Sequence, residues 1–153
     1  MKVSAGLLLF RRTAEGVVEV LLGHPGGPFF ARKDDGFWSV PKGEYHQGEE
    51  PLAAAYREFT EELGLEPPVG EPVPLGHAQA RGKVNTVWAL EGDLDVGATR
   101  SNTFSMEWPP GSGRQREFPE IDRVGWFDLP AARVKIFTSQ RPFLDRLAEH
   151  LSS

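Results

Sequence analysis

Three glutamates near the middle of the chain have the type and spacing of metal ligands. Glu58, Glu61 and Glu62 belong to a segment with a helical apolar repeat, and on a helix they fall within about 100° of one another. Carboxylates at that spacing repel one another and raise one another's pKa, which a bound cation would offset. Hard ions such as Mg²⁺ or Mn²⁺ bind through a few carboxylates and take further ligands from phosphates. An acidic helix flank is also typical of solvated surface, so the spacing alone leaves both interpretations open.

The negative charge of the chain is concentrated in the same segment. Five Glu and one Arg fall between Glu49 and Glu62, which gives this stretch a net charge of −4, compared with −5 for the whole chain. The rest of the chain is nearly neutral and lacks the broad basic surface that a DNA or RNA polymer requires. The acidity is therefore local and needs a local explanation, such as a cation site.

The loop before these glutamates contributes groups that suit a phosphate. Lys42 and the main-chain N–H groups around Gly43 precede the helical segment, and with the carboxylates they describe a phosphate site facing a metal site. Metal ions in that geometry polarise a phosphoryl oxygen, activate a water and offset charge on the leaving group. The carboxylate of Glu44 could reach the metals from the same loop. Solvated loop charge is the alternative for both Lys42 and Glu44.

A helix over about residues 51–63 positions the three glutamates. Pro51 suits the first helical turn, the acidic residues just before it suit the positive end of the helix dipole, and Gly64 suits the C-terminal stop. An apolar stripe with spacings of four, three and four residues, which would face the core, consists of Leu52, Tyr56, Phe59 and Leu63.

Short apolar segments on both sides of this helix are typical of strands. They cover residues 3–10, 17–23, 37–40, 76–80, 83–90, 102–108 and 122–127. Breaker-rich loops separate them at residues 24–36 and 109–120. A closing helix is predicted over residues 138–151, with Thr138 or Ser139 as its cap. Many strands with two well-separated helices predict a mixed sheet covered by helices.

Length and composition predict a single domain over residues 1–153. The chain has 39% hydrophobic and 25% charged residues, near the ordinary values for soluble domains, and it contains no cysteine. Disulfides and thiolate metal sites are therefore excluded. The apolar run over residues 3–10 is too short to span a bilayer and lacks the cleavage site of a signal peptide. We expect a cytoplasmic protein without a membrane partner.

Residues 43–65, GEYHQGEEPLAAAYREFTEELGL, match the signature of the Nudix hydrolases at every specified position. The signature sets Gly, Glu, an Arg-Glu pair, an apolar residue, a Glu-Glu pair and a closing Gly with an apolar residue at fixed intervals. This chain supplies Gly43, Glu49, Arg57, Glu58, Phe59, Glu61, Glu62, Gly64 and Leu65 at those positions. The resemblance to the Nudix family implies an α/β fold of the α+β type, an α/β/α sandwich with a central mixed sheet between helices.

The resemblance also implies roles within this segment. Glu58 and Glu62 would be the principal ligands of Mg²⁺ or Mn²⁺, with Glu61 a ligand or close partner. Arg57 would orient these carboxylates through charge-assisted hydrogen bonds. Glu49 would support the helix start or join the metal shell, and Gly43 would permit a tight turn of the backbone. The metal shell implied in this way comprises Glu49, Glu58, Glu61, Glu62 and the backbone at Gly43.

Residues outside the signature supply candidates for the general base and for substrate binding. The acidic candidates for a base from a later loop are Glu107, Glu117, Glu120 and Asp122. We favour Glu120, which just precedes the last predicted strand. Trp108 is the best placed tryptophan for stacking on a nucleobase. The candidates for phosphate binding are Lys83, Arg81, Arg114 and Arg116. Core packing of the tryptophan and solvation of the charged residues are the alternatives.

The function implied by the complete signature is that of a metal-dependent pyrophosphohydrolase. Its substrate would be a nucleoside diphosphate linked to another moiety, as in a nucleoside triphosphate, a dinucleoside polyphosphate or a nucleotide sugar. The alternative is a Nudix-fold module that senses a nucleotide without cleaving it. The region of Ala80 to Gly82 has neither the Tyr nor the Pro that marks two known subfamilies, so no subfamily is assigned. A monomer and a homodimer are both compatible with the sequence.

Overall fold

The computed structural model describes residues 1–153 as a mixed sheet with three α-helices. The strands are β1 (Lys2–Arg12), β2 (Val18–Pro25), β3 (Lys42–Glu44), β4 (Val73–Ala80), β5 (Lys83–Glu91), β6 (Thr103–Glu107), β7 (Gln115–Pro119) and β8 (Ile121–Asp128). The helices are α1 (Pro51–Leu63), α2 (Leu129–Lys135) and α3 (Arg141–Ser152), with 3₁₀ turns at Val96–Ala98 and Thr138–Gln140. None of these helices has the length and apolar character needed to cross a membrane.

Strand β1 runs through the middle of a sheet ordered β4-β5-β1-β2-β8, and β3 pairs with its first half. The pairing of β1 with β5 is parallel, and every other pairing in the sheet is antiparallel. The sheet is therefore mixed, as the sequence predicts. Strands β6 and β7 form a separate antiparallel hairpin.

The side chains of β1 alternate between two apolar layers, as the pleat of a strand requires. Leu8 and Phe10 lie in the cluster that contains residues of α2 and α3. Leu7 and Leu9 lie in the cluster that contains residues of α1. Full burial of each of these leucines contributes about 2 kcal/mol. The sheet thus lies between α1 on one face and α2 with α3 on the other, which confirms the predicted sandwich.

Helix α1 has the predicted bounds. Pro51 occupies its first turn, where the missing N–H needs no partner, and Gly64 ends it with a left-handed φ of 71°. Phe59 and Leu63 of the predicted stripe are fully buried, while Leu52 and Tyr56 are half-buried at the edge of the same cluster. This packing leaves the opposite flank of the helix, with its glutamates, turned away from the core.

Three predictions about secondary structure are wrong. Residues 37–40 form only isolated bridges, at Trp38 and Ser39, and regular pairing begins at Lys42, beyond Pro41. The predicted loop at 109–120 contains β7, because residues 115–119 pair back onto β6. Residues 138–140 form a 3₁₀ turn, and no side chain caps α3, whose N-cap is Gln140. Helix α2 was not predicted.

Candidate functional site

A cleft of about 430 Å³ lies where β3, the second half of α1 and the start of β8 meet. Eight residues predicted from the sequence line it: Lys42, Gly43, Glu44, Glu58, Glu61, Glu62, Lys83 and Glu120. Lys83 arrives from β5 through its parallel pairing with β1. The fold thus brings together residues from four separate segments of the chain.

The backbone of β3 lies directly against the glutamates of α1. The Lys42 N–H donates to Glu62 Oε1 at 3.1 Å. A Cβ atom at Gly43 would lie 2.0 Å from Glu58 Oε2, so only glycine leaves this carboxylate in place. The structure therefore gives Gly43 a steric role beside the carboxylates. The tight turn that the resemblance implies is not found, because Gly43 lies within β3 and pairs with Ala5.

Arg57 links three of the glutamates through its guanidinium. It donates to both carboxylate oxygens of Glu49, at 2.9 and 3.1 Å, and to Glu58 at 2.9 Å and Glu61 at 3.1 Å. The hydrogen bonds from Arg57 lower the pKa of the Glu49 carboxyl. Charge-assisted bonds of this kind fix the side chains that make them. The arrangement matches the orienting role expected of Arg57.

The carboxylates of the cleft are poorly compensated by cations. Burial, followed by the nearby Glu58 and Glu120 carboxylates, raises the pKa of Glu62 to about 8, although Lys42 opposes the shift. Burial and Glu61 raise the pKa of both Glu58 and Glu120. The cleft therefore concentrates negative charge where water solvates it incompletely.

The lysine side of the cleft is also desolvated. Burial, reinforced by the positive charge of Lys83, lowers the pKa of the Lys42 ammonium. The Glu44 carboxylate lies between two lysines, with Oε2 at 3.9 Å from Lys83 Nζ and Oε1 at 4.0 Å from Lys2 Nζ. Both distances are long for an ion pair. Two ammonium groups near an anionic wall favour a ligand that carries phosphate oxygens.

The carboxylate oxygens of the cleft are suitable ligands for a hard divalent cation. They are clustered and partly buried, and few positive charges lie near them. No three Asp, Glu, His or Cys side chains are already arranged as a metal-binding group. Three hydrogen bonds engage these carboxylates instead: Glu58 and Glu61 accept from Arg57, and Glu62 accepts from the Lys42 N–H. Side-chain rotation would be needed to bring three carboxylates onto one ion.

Glu120 is the acidic candidate for a general base that lines the cleft. Its N–H donates to the Asn102 carbonyl at 2.9 Å, and its carbonyl accepts from the Gly26 N–H at 3.0 Å. Glu107 accepts from the Gly111 N–H, and Glu117 contacts Thr103, both within the β6–β7 hairpin. Asp122 binds His24. Position in the fold thus selects one of the four candidates.

Trp108 and Arg114, two of the predicted substrate-binding residues, do not line the cleft. They lie in the β6–β7 hairpin, where the Trp108 N–H donates to the Arg114 carbonyl at 2.9 Å and the indole contacts Phe29. The sequence reasoning in turn missed Asn102 and Phe137, which do line it. Both residues lie far from the signature in the sequence, and no nearby motif marks Asn102 as part of the site. Phe137 could have been considered, because it is an aromatic residue next to the start of the predicted closing helix.

Solved structures with sequence identities of 16–22% share this fold. An Ap4A hydrolase of Caenorhabditis elegans, solved as a binary complex, has a TM-score of 0.65 at 21% identity over 99% of this chain and 98% of that one. The NUDIX domain of Shewanella oneidensis NrtR, solved with ADP ribose, has a TM-score of 0.62 at 18% identity over 97% and 87%. The Nudix hydrolase RenU of M. smegmatis has a TM-score of 0.61 at 22% identity over 97% and 84%.

Two sequence comparisons, one with a curated protein and one with a family model, also match this chain. An octanoyltransferase of Myxococcus xanthus is 36% identical over 101 residues, which are 66% of this chain and 25% of that protein. This chain thus spans about a quarter of the length of that curated relative. The family model of the NUDIX domain matches residues 1–147. With almost its whole length matched by that model, the chain belongs to the Nudix family.

Proposed function

We propose that this protein is a metal-dependent pyrophosphohydrolase that cleaves a phosphoanhydride bond in a nucleoside diphosphate linked to another moiety. The observation that carries the proposal is the meeting of four carboxylates, from Glu58, Glu61, Glu62 and Glu120, with Lys42 and Lys83 in one cleft. The carboxylate wall suits divalent cations, and the lysine wall suits the phosphates that such cations would share.

The side chains of the cleft divide the work of hydrolysis. Mg²⁺ or Mn²⁺ held by Glu58, Glu61 and Glu62 would neutralise the phosphate charge and polarise the phosphoryl oxygen. Glu120 takes a proton from the attacking water, for which its raised pKa suits it. Lys42 and Lys83, which line the same cleft, bind phosphate oxygens, and Arg57 keeps Glu58 and Glu61 in place between turnovers.

Two of the similar structures support the proposed substrate class. One is described as an Ap4A hydrolase complex and another as a complex with ADP ribose. Their likeness to this chain is one of fold. Phe137, a half-buried aromatic side chain in the cleft wall, offers a flat apolar surface for the base of such a nucleotide.

A substrate panel with Mg²⁺ tests the proposal. It should include nucleoside triphosphates, oxidised nucleotides, dinucleoside polyphosphates and nucleotide sugars, with identification of the products. We expect hydrolysis of at least one substrate into two phosphate-bearing products, with loss of activity in EDTA. Glu58→Gln and Glu62→Gln should each lower kcat by at least about 100-fold while the protein stays folded.

Glu50→Gln is the matched control, because Glu50 lies in the same segment but is exposed and outside the cleft. It should leave kcat unchanged. Wild-type turnover in both Glu58→Gln and Glu62→Gln would refute the proposal. A nucleotide-sensing module is the second candidate. Tight nucleotide binding by calorimetry without any product would favour it.

A further inference from the structure

His24 is a fully buried histidine outside the cleft, with both ring nitrogens engaged. Its Nδ1 lies 2.7 Å from Asp122 Oδ1, and its Nε2 lies 2.6 Å from the Lys33 carbonyl oxygen. The Lys33 carbonyl oxygen can only accept, so His24 Nε2 donates to it. His24 thus joins the Asp122 side chain to the loop before Trp38.

The His24–Asp122 contact lies at an irregularity in the pairing of β2 with β8. His24 pairs with Arg123 and Pro25 pairs with Ile121, so Asp122 is an extra residue on β8, a β-bulge. Because side chains alternate along a strand, one extra residue moves everything before it to the opposite face. Ile121 accordingly packs in the α1 layer together with Val124, a placement that regular alternation would not give.

Glu120 lies two residues before the bulged residue Asp122 and directly precedes β8. Its backbone is held by the Asn102 carbonyl and the Gly26 N–H. Gly26 fits closely here, since a Cβ atom would lie 2.0 Å from the Pro119 carbonyl oxygen. These contacts hold the Glu120 backbone against Gly26, and the His24–Asp122 contact ties the same two chain segments together two residues away on each of them.

We propose that the His24–Asp122 contact is a positioning device for catalysis, which holds the bulge in β8 so that the Glu120 carboxylate enters the cleft. The inference rests on the proposed function, in which Glu120 takes the proton of the attacking water. His24 and Asp122 touch neither substrate nor metal in this role and act only through Glu120.

Substitutions at Asp122 test the inference with the full chain and Mg²⁺ on the substrate that the panel identifies. Asp122→Ala removes the partner of His24 Nδ1 and should lower kcat by about tenfold with KM within about twofold, since a small misplacement of a reacting group costs rate rather than affinity. Asp122→Asn keeps a hydrogen-bonding side chain of the same size and should recover most of that loss. In a Glu120→Gln background, Asp122→Ala should lower kcat no further.

Asp145→Ala is the matched control, because it breaks the exposed ion pair with Arg133, between α2 and α3 and away from the cleft. It should leave kcat and KM unchanged. An equal loss of kcat from Asp122→Ala in the wild-type and Glu120→Gln backgrounds would overturn the positioning role, as would wild-type kcat in folded Asp122→Ala.

Hydrogen exchange at the Glu120 amide separates this inference from the proposed function. Asp122→Ala should speed exchange of that amide at least about tenfold, while Asp145→Ala leaves it unchanged. If Glu120→Gln turns over like the wild type, the assignment of the general base fails, and faster exchange in Asp122→Ala still supports the positioning of Glu120. Unchanged exchange overturns the inference whatever the activity shows.

Discussion

The carboxyl group of Glu62, on α1, lowers the stability of the folded protein. Burial and the carboxylates of Glu58 and Glu120 raise its pKa from 4.5 to about 8. A carboxyl whose pKa is raised in the folded state costs stability increasingly as the pH rises from the unfolded pKa to the folded one. A residue that destabilises the metal-free fold is understandable where function sets its place.

Glu62→Gln should therefore stabilise the metal-free protein in a pH-dependent way. The amide keeps an oxygen for the Lys42 N–H and carries no charge. In EDTA, the variant and the wild type should melt together near pH 4.5 or below, and by pH 8 the variant should have a Tm about 5 °C higher. Glu50→Gln should track the wild type. Parallel Tm curves for Glu62→Gln and the wild type from pH 4.5 to 8 would contradict this account.

At the scale of elements, the parts fixed by local chemistry were predictable and the parts fixed by distant contacts were not. Helix α1 was predicted with its bounds because Pro51 and Gly64 act within one turn of their own positions. Strand β7 depends on pairing with β6 across a turn, and α2 is only seven residues long, so neither shows a clear period.

The residues of the candidate site also fall into two groups, those that local spacing brings together and those that distant contacts bring together. Glu58, Glu61 and Glu62 share a helix face, so their spacing alone brings them together. Lys83 reaches them only through the parallel pairing of β5 with β1. Trp108 and Arg114 were misplaced because the direction in which the β6–β7 hairpin projects is a tertiary property that no spacing reveals.

The C-terminal stop of α1 gives a prediction at this scale. Gly64→Ala should destabilise the fold by about 1–3 kcal/mol, because φ is +71° and the new Cβ would lie 2.5 Å from the Arg100 carbonyl oxygen. Denaturant unfolding measures the change. Gly97→Ala is the control, since its φ lies outside the left-handed region and its nearest neighbour is the end of the Asp95 side chain. Equal effects of the two substitutions would show that the helix end is not constrained in this way.

At the scale of the whole molecule, the net charge of −5 is largely explained by one helix and its preceding loop. The remaining surface is close to neutral, so a ligand that compensates the cleft changes the electrostatics of the entire protein. Binding to the folded state alone also raises the stability of all parts that unfold together.

Mg²⁺ should consequently raise the Tm of the whole protein. At a concentration of about 100 times Kd the added stability is about 2.7 kcal/mol, a shift of several degrees in a thermal melt. Glu58→Gln and Glu62→Gln should each remove most of the shift, and Glu50→Gln should keep it. A Tm that does not respond to Mg²⁺ or Mn²⁺ would indicate that the acidic helix is solvated surface.

The parallel pairing of β1 with β5 also has a consequence for the order of events during synthesis. It joins residues 2–10 to residues 83–91, and Glu120 follows later still. The apolar stretch of β1 therefore leaves the ribosome long before its parallel partner β5 exists, and distant pairing of this kind forms slowly. Nascent chains are exposed to aggregation during that interval, and the cleft becomes complete only after β8 has been made.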